Sequence, residues 1–259
     1  TVDTGKQLWE RKLAATLVSG PAVGQGRVLV GDAQGRVTAL NLVNGQTLWQ
    51  TQLSDPVTAP FTLASNLALA KTLDGRLWAL NLATGKAQWQ YDEGSPQLVL
   101  AGGSQVVING NQAIVGYADG KLASYQLASG QLQWQIPLAE PLGPAEVQQM
   151  IDIVADPVVT SSRVYAVSYQ GKLAALNATT GQIQWQLPLS SYTGMTLSPT
   201  VLIVTDSKGR VLGFNPQTGA PLWQQTALEY RRLTAPVATA QGVVLGDGEG
   251  YLHWLNPNN

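Results

Sequence analysis

Six copies of Gly followed four residues later by Trp, a second Gly ten residues ahead of the turn Gly in five of them, and short apolar runs between the glycines predict an all-β chain. The architecture that fits is a β-propeller of four-stranded antiparallel blades, with six repeats visible. The copies are Gly5…Trp9, Gly45…Trp49, Gly85…Trp89, Gly130…Trp134, Gly181…Trp185 and Gly219…Trp223, so the unit recurs every 38 to 51 residues. The second glycines are Gly35, Gly75, Gly120, Gly171 and Gly209.

Each strand of the unit has its own signal. In the second copy, Val28 to Gly31, Val37 to Leu40 and Gln46 to Leu53 are rich in β-branched and large apolar residues. They are separated by the turn dipeptides Gln34-Gly35 and Asn44-Gly45, where glycine supplies a positive φ without a Cβ clash. No helical period competes over a comparable length. A fourth strand precedes these three: Pro21, Pro157 and Pro236 fall fourteen residues before the second Gly and Pro60 fifteen before, at the start of a strand, where a missing N–H is tolerated. The periodic tryptophans lie on the outer strand just after a turn and are expected to fill the gap between neighbouring blades rather than to stack a ligand.

Length and composition set the outer limits. The chain has 259 residues, 44% hydrophobic and 12% charged, enough for a sizeable core. Lys+Arg 15 against Asp+Glu 16 leaves a formal charge of −1, so there is no broad positive field for nucleic acid or for an anionic membrane surface. The pairs Arg11-Lys12 and Arg231-Arg232 read as solvated surface. Absence of cysteine removes disulfides, thiolate metal sites and cysteine nucleophiles. No apolar run reaches the roughly 18 residues of a membrane helix. Residues 1–259 are expected to form a single propeller domain that starts at an outer strand, residues 6–13, and ends after the third strand of a blade. Gly250 opens that third strand, and its turn Gly would be residue 260. Either the first strand pairs with the last blade and closes a six-bladed ring, or the chain is an arc with two edges.

The motif Asn-x-x-[Thr/Ser/Asn]-Gly-x-x-x-Trp, present as Asn41…Gly45…Trp49 and Asn81…Gly85…Trp89, resembles the PQQ-type propeller repeat; Trp is followed by Gln or Glu, which is unlike WD40 repeats. The segments Arg232 to Pro236 with Val244 to Asn256, and Asp156 to Val159 with Val164 to Leu176, are similar to the BamB family, the lipoprotein propellers of the outer-membrane β-barrel assembly machine. The likeness runs along essentially the whole chain. It implies an eight-bladed, non-enzymatic propeller on the periplasmic side of the outer membrane of a Gram-negative bacterium, without cofactor or metal. The partners it implies are the POTRA region of BamA and the Bam complex, with unfolded outer-membrane proteins as further clients. Membrane attachment is implied only through a lipid on an N-terminal cysteine. This chain holds no cysteine and six repeats, so the resemblance implies a piece lacking that anchor and parts of the first and last blades.

Two links from an outer strand to the next inner strand stand out. One is residues 91–105 (YDEGSPQLVLAGGSQ) and the other residues 135–157 (QIPLAEPLGPAEVQQMIDIVADP), which stretches its repeat to 51 residues. They belong to successive repeats and should lie side by side on one face, where loops carry function. The candidate partner-binding residues are Leu98 and Leu100 in the first link and Met150, Asp152 and Ile153 in the second. The aliphatics would give desolvated contact and Asp152 direction. The family resemblance implies a Leu-x-Leu-Arg stretch in the first loop and an Asp in the second. Leu98, Leu100 and Asp152 match, and Ala101 stands where the Arg would be. On this reading Leu100→Asp or Asp152→Arg should weaken partner binding while leaving the fold intact.

Two rival functions belong to other classes. A quinoprotein dehydrogenase uses the same repeat, but its adjacent cysteine pair has no counterpart, and the carboxylates Asp32, Asp74, Asp119, Asp206 and Asp247 sit on turns, where Asp bonds local backbone. A periplasmic ligand-binding propeller would show the same repeat, yet the two long links are apolar with few aromatics and suit a protein better than a sugar. The lone His253, between Leu252 and Trp254, reads as a hydrogen-bonded strand residue, and no catalytic residue is nominated.

Overall fold

A computed structural model describes residues 3–94, 96, 98–100, 102–141, 143 and 150–256. Among these, every helix or strand is a strand, and the strands form six antiparallel sheets in which sequential neighbours pair. The first sheet is β1 (Ala22–Gly24), β2 (Arg27–Gly31), β3 (Arg36–Asn41) and β4 (Thr47–Gln52). The second is β5 (Thr62–Ala64), β6 (Leu67–Lys71), β7 (Arg76–Asn81) and β8 (Ala87–Asp92). The third is β9 (Val107–Asn109), β10 (Gln112–Gly116), β11 (Lys121–Gln126) and β12 (Leu132–Pro137). The fourth is β13 (Val158–Val159), β14 (Arg163–Val167), β15 (Lys172–Asn177) and β16 (Ile183–Pro188). The fifth is β17 (Gly194–Leu197), β18 (Leu202–Thr205), β19 (Val211–Phe214) and β20 (Pro221–Gln225), and the sixth has three strands, β21 (Val237–Ala238), β22 (Val243–Gly246) and β23 (Leu252–Leu255). Pro21, Pro157 and Pro236 stand immediately before β1, β13 and β21, as the missing N–H requires.

Two compact units share the sheets. One comprises Thr1–Ser95 with Ala128–Gly130, the other Pro96–Leu127 with Gln131–Asn259. Inside the first, the sheets of β1–β4 and β5–β8 bury Leu29, Val37, Ala39, Trp49, Phe61, Ala68, Ala70 and Leu80 between them. In the second unit the fourth sheet is covered on both faces. Val164, Ala166, Ala174 and Leu176 pack toward the third sheet, while Tyr165, Val167, Leu173 and Ala175 pack toward the fifth. Side chains alternate across a strand, so a middle strand sandwiched between two sheets is apolar at every position. This is why VYAV and LAAL read as unbroken runs.

The tryptophans fill the gaps between sheets as expected, by a mechanism finer than the repeat shows. Trp49 on β4 lies over Gly85, the turn glycine of the next repeat, and its Nε1 donates to the Leu82 carbonyl at 3.0 Å. Gly85 has φ +71°, and a Cβ there would come within 2.6 Å of Trp49 Cδ2. Trp134 over Gly181 and Trp185 over Gly219 repeat the arrangement, with Nε1 donating to Ala178 O at 3.0 Å and Pro216 O at 3.1 Å. The residue paired across the ladder from each outer-strand Trp is small: Ala39, Ala79, Ser124, Ala175 and Gly213. A register shift follows immediately, placing one extra residue just ahead of the Trp.

The N-terminal outer strand differs from expectation. Residues 6–13 form no ladder, and the first strand of the chain is Ala22–Gly24. Trp9 nevertheless occupies its slot over Gly45 and donates to Leu42 O at 2.9 Å.

Candidate functional site

The turn between the second and third strand of a sheet and the link that leads into the sheet meet on one face. A turn N–H donates to a link carbonyl seventeen residues earlier in repeat after repeat: Leu73 to Pro56 at 2.9 Å, Tyr169 to Asp152 at 2.9 Å, Ser207 to Ser190 at 2.8 Å and Gly248 to Arg231 at 2.7 Å. Within the turns, Asp oxygens accept from local backbone. Asp206 Oδ1 takes the N–H of Lys208 at 2.9 Å and of Arg210 at 2.8 Å, and Asp247 Oδ1 takes those of Glu249 and Tyr251, both at 3.0 Å. The sequence-derived structural role of these carboxylates is thus visible atom by atom.

The described parts of the two long links that carry Leu100 and Gln105 on one side and Asp152 and Asp156 on the other do lie together, inside the second unit. Asp152 Oδ2 accepts the N–H of Leu100 at 2.6 Å, and Asp156 Oδ1 accepts that of Gln105, also at 2.6 Å. Asp152 O accepts from Tyr169 N at 2.9 Å, and Ile153 N donates to Tyr117 O at 3.0 Å. One short stretch therefore ties the first link to the turns of two successive sheets. Beneath it, Ile153 is packed so closely on Gly116 that a Cβ there would meet Ile153 Cβ at 2.8 Å.

Placement of the candidate residues separates them into two groups. Leu98 is exposed at 41%, and Leu100 and Met150 are half-buried. Asp152 and Ile153 are buried, at 3% and 1% exposure. Asp152 thus faces the first link rather than solvent. An Asp152→Arg exchange would push a long cation into a buried site and unfasten Leu100, so it does not leave the loop geometry intact, contrary to the sequence expectation. Ala101 lies outside the described residues. Sequence reasoning missed Asp156 and Gly116; the signal was available only as an Asp four residues after Asp152 and as a Gly ending the VVINGNQAIVG run.

A titratable cluster around Asp247 is structural. His253 Nε2 and the Arg231 guanidinium both reach Asp247 Oδ2 at 2.9 Å. The hydrogen bond with His253, supported by backbone N–H donors and Arg231, holds the Asp247 carboxyl well below the usual carboxylate range against the opposing effect of burial. His253 is the hydrogen-bonded strand residue its neighbours imply.

A family model described as outer membrane protein assembly factor BamB matches residues 1–225. The chain belongs to the BamB family. A BamB relative from Alkalilimnicola ehrlichii is 37% identical over 164 residues, which is 63% of this chain and 43% of the relative. BamB of Salmonella typhimurium is 36% identical over 264 residues, covering 98% of this chain and 67% of the relative. The crystal structure of BamB from Moraxella catarrhalis superposes with a TM-score of 0.90 at 28% identity, covering 95% of this chain and 75% of that one. The chain therefore spans between less than half and about two thirds of the length of these curated BamB relatives. Those relatives are named as assembly factors, not as enzymes.

Proposed function

We propose that the chain is a non-enzymatic interaction subunit of the outer membrane protein assembly machinery, on the periplasmic side of the outer membrane of a Gram-negative bacterium. Its partner is the POTRA region of BamA, bound through Leu98, Leu100 and Met150 of the two long links. The observation that carries this reading is the Leu100 N to Asp152 Oδ2 hydrogen bond. It fixes the first link on a buried anchor, with Leu98 exposed and Leu100 and Met150 each half-buried. A preorganised apolar projection loses little entropy on docking, and its desolvation supplies affinity.

The test is a titration of the chain with a POTRA fragment of BamA from the same organism. Burying one leucine side chain is worth about 1.5–3 kcal/mol, so Leu98→Asp should weaken binding about tenfold or more with the melting temperature unchanged. Unaltered affinity in both Leu98→Asp and Leu100→Asp would remove this surface from consideration.

A further inference from the structure

Two cavities on the link face of the second unit share a wall. The first, about 180 Å³, is lined by Tyr192, Asp206, Lys208, Tyr230 and Arg232 among others. The second, about 280 Å³, is lined by Val154, Ala155, Asp156 and Met195 and again by Tyr192. Tyr192 stands edge-on to Tyr169, ring centroids 6.1 Å apart, and lines both cavities.

The link that supplies Tyr230 and Arg232 is held in an unusual conformation. Both residues have positive φ, +63° and +54°, which costs a non-glycine residue about 1–2 kcal/mol each. Arg231 between them is clamped: its guanidinium binds Asp247 at 2.9 Å and its carbonyl accepts from Gly248 N at 2.7 Å, while Tyr230 N donates to Lys208 O at 2.9 Å. The clamp leaves the side chains on either side of Arg231 both lining the first cavity. Strain sustained by surrounding contacts is a recurrent mark of a binding site.

Charge decides the ligand. Asp206 is taken up by Arg210 Nε at 2.6 Å and by two backbone N–H groups. Among the described residues, no carboxylate pairs with the Lys208 ammonium or the Arg232 guanidinium. The first cavity is thus lined by two exposed cations without a carboxylate partner and by two tyrosine rings, and it opens beside a cavity of mixed lining floored by Met195. We infer that this double cavity binds an extended acidic peptide segment. Its carboxylate lies between Lys208 and Arg232, and the adjacent large apolar side chain packs against Tyr192 and Met195. The guanidinium suits a carboxylate bidentately, and tyrosines offer contact area at low entropic cost. Asp156 on the second cavity, already accepting from Gln105 N, disfavours a ligand that is anionic throughout. The inference stands apart from the Leu98 surface.

Fluorescence anisotropy of the labelled peptide Gly-Ser-Phe-Asp-Val-Gly with the full chain tests it, against the same peptide carrying Asn for Asp. The Asp peptide should bind about tenfold more tightly, a difference typical of a charge-assisted contact. Arg232→Gln and Lys208→Gln should each erase that preference, whereas Leu98→Asp should preserve it. If Arg232→Gln melts early, Arg232→Gly, which suits the positive φ, gives the same reading. Equal affinity for the two peptides, no binding up to about 1 mM, or full retention in the Arg232 variants overturns the inference. Displacement of the peptide by phosphatidylglycerol vesicles from the parent but not from Arg232→Gln reassigns the site to a lipid headgroup and likewise overturns it.

Discussion

Replacing Gly85 by Ala isolates what the Gly-to-Trp repeat does physically. The backbone there has φ +71°, so any side chain meets the left-handed penalty of about 1–2 kcal/mol. The new Cβ would also fall within 2.6 Å of both Trp49 Cδ2 and Thr51 Oγ1. Trp49 is 9% exposed and tied to Leu82 O, so it has little room to withdraw. Overpacking of this kind adds about 1–3 kcal/mol, bringing the expected loss to roughly 2–5 kcal/mol. Gly26 in the same unit is the control. Its φ is +74°, yet nothing lies within 4 Å of a Cβ, so Gly26→Ala should lose only the conformational part. Urea denaturation followed by far-ultraviolet circular dichroism gives both values. In a Trp49→Ala background the Gly85→Ala loss should shrink toward that of Gly26→Ala, with the Thr51 Oγ1 approach remaining, a coupling that a double-mutant cycle reads directly. Equal losses at Gly85 and Gly26 in the parent, or strict additivity with Trp49→Ala, would refute the view that the glycine is there to seat the tryptophan.

Three further outcomes follow from the geometry. Asp152→Ala removes a buried carboxyl acceptor from Leu100 N and should cost about 1–3 kcal/mol, with faster hydrogen exchange at the Leu100 amide; unchanged exchange there would contradict the stitching of the two links. Ala39 is fully buried and pairs across the ladder with Trp49, so Ala39→Leu should cost about 1–3 kcal/mol, measured by the same urea titration. Because the Asp247 carboxyl titrates below its ordinary range, its ionised form stabilises the fold at neutral pH, and that contribution is lost as pH falls from about 4 through the lowered folded value. The stability gap between the parent and Asp247→Asn should therefore shrink from pH 7 to pH 3, and a constant gap would show that the carboxylate charge plays no part.

Sheet number, strand order and turn positions were legible because each rests on local chemistry. Glycine and asparagine in tight turns, proline ahead of a first strand and unbroken apolar runs in middle strands are properties of a few consecutive residues. The side-by-side placement of the two long links was legible for the same reason, since successive repeats put equivalent loops on one face. The roles of single residues in those links were not. Asp152 reads in sequence as an acid on a surface loop, while in the fold it is a buried acceptor for a backbone N–H fifty-two residues away. Nor does the repeat reveal that five of its six tryptophans, Trp9 through Trp185, are seated on the turn glycine of the following copy, or that Tyr230 and Arg232 flank a clamped Arg231.

By itself the sequence determined the class of architecture, the repeat and the absence of cysteine chemistry. The tertiary structure decided which side chains face solvent and which atoms meet across repeats. Those outcomes depend on hydrogen bonds and close approaches between residues tens of positions apart, and no local pattern encodes such distances.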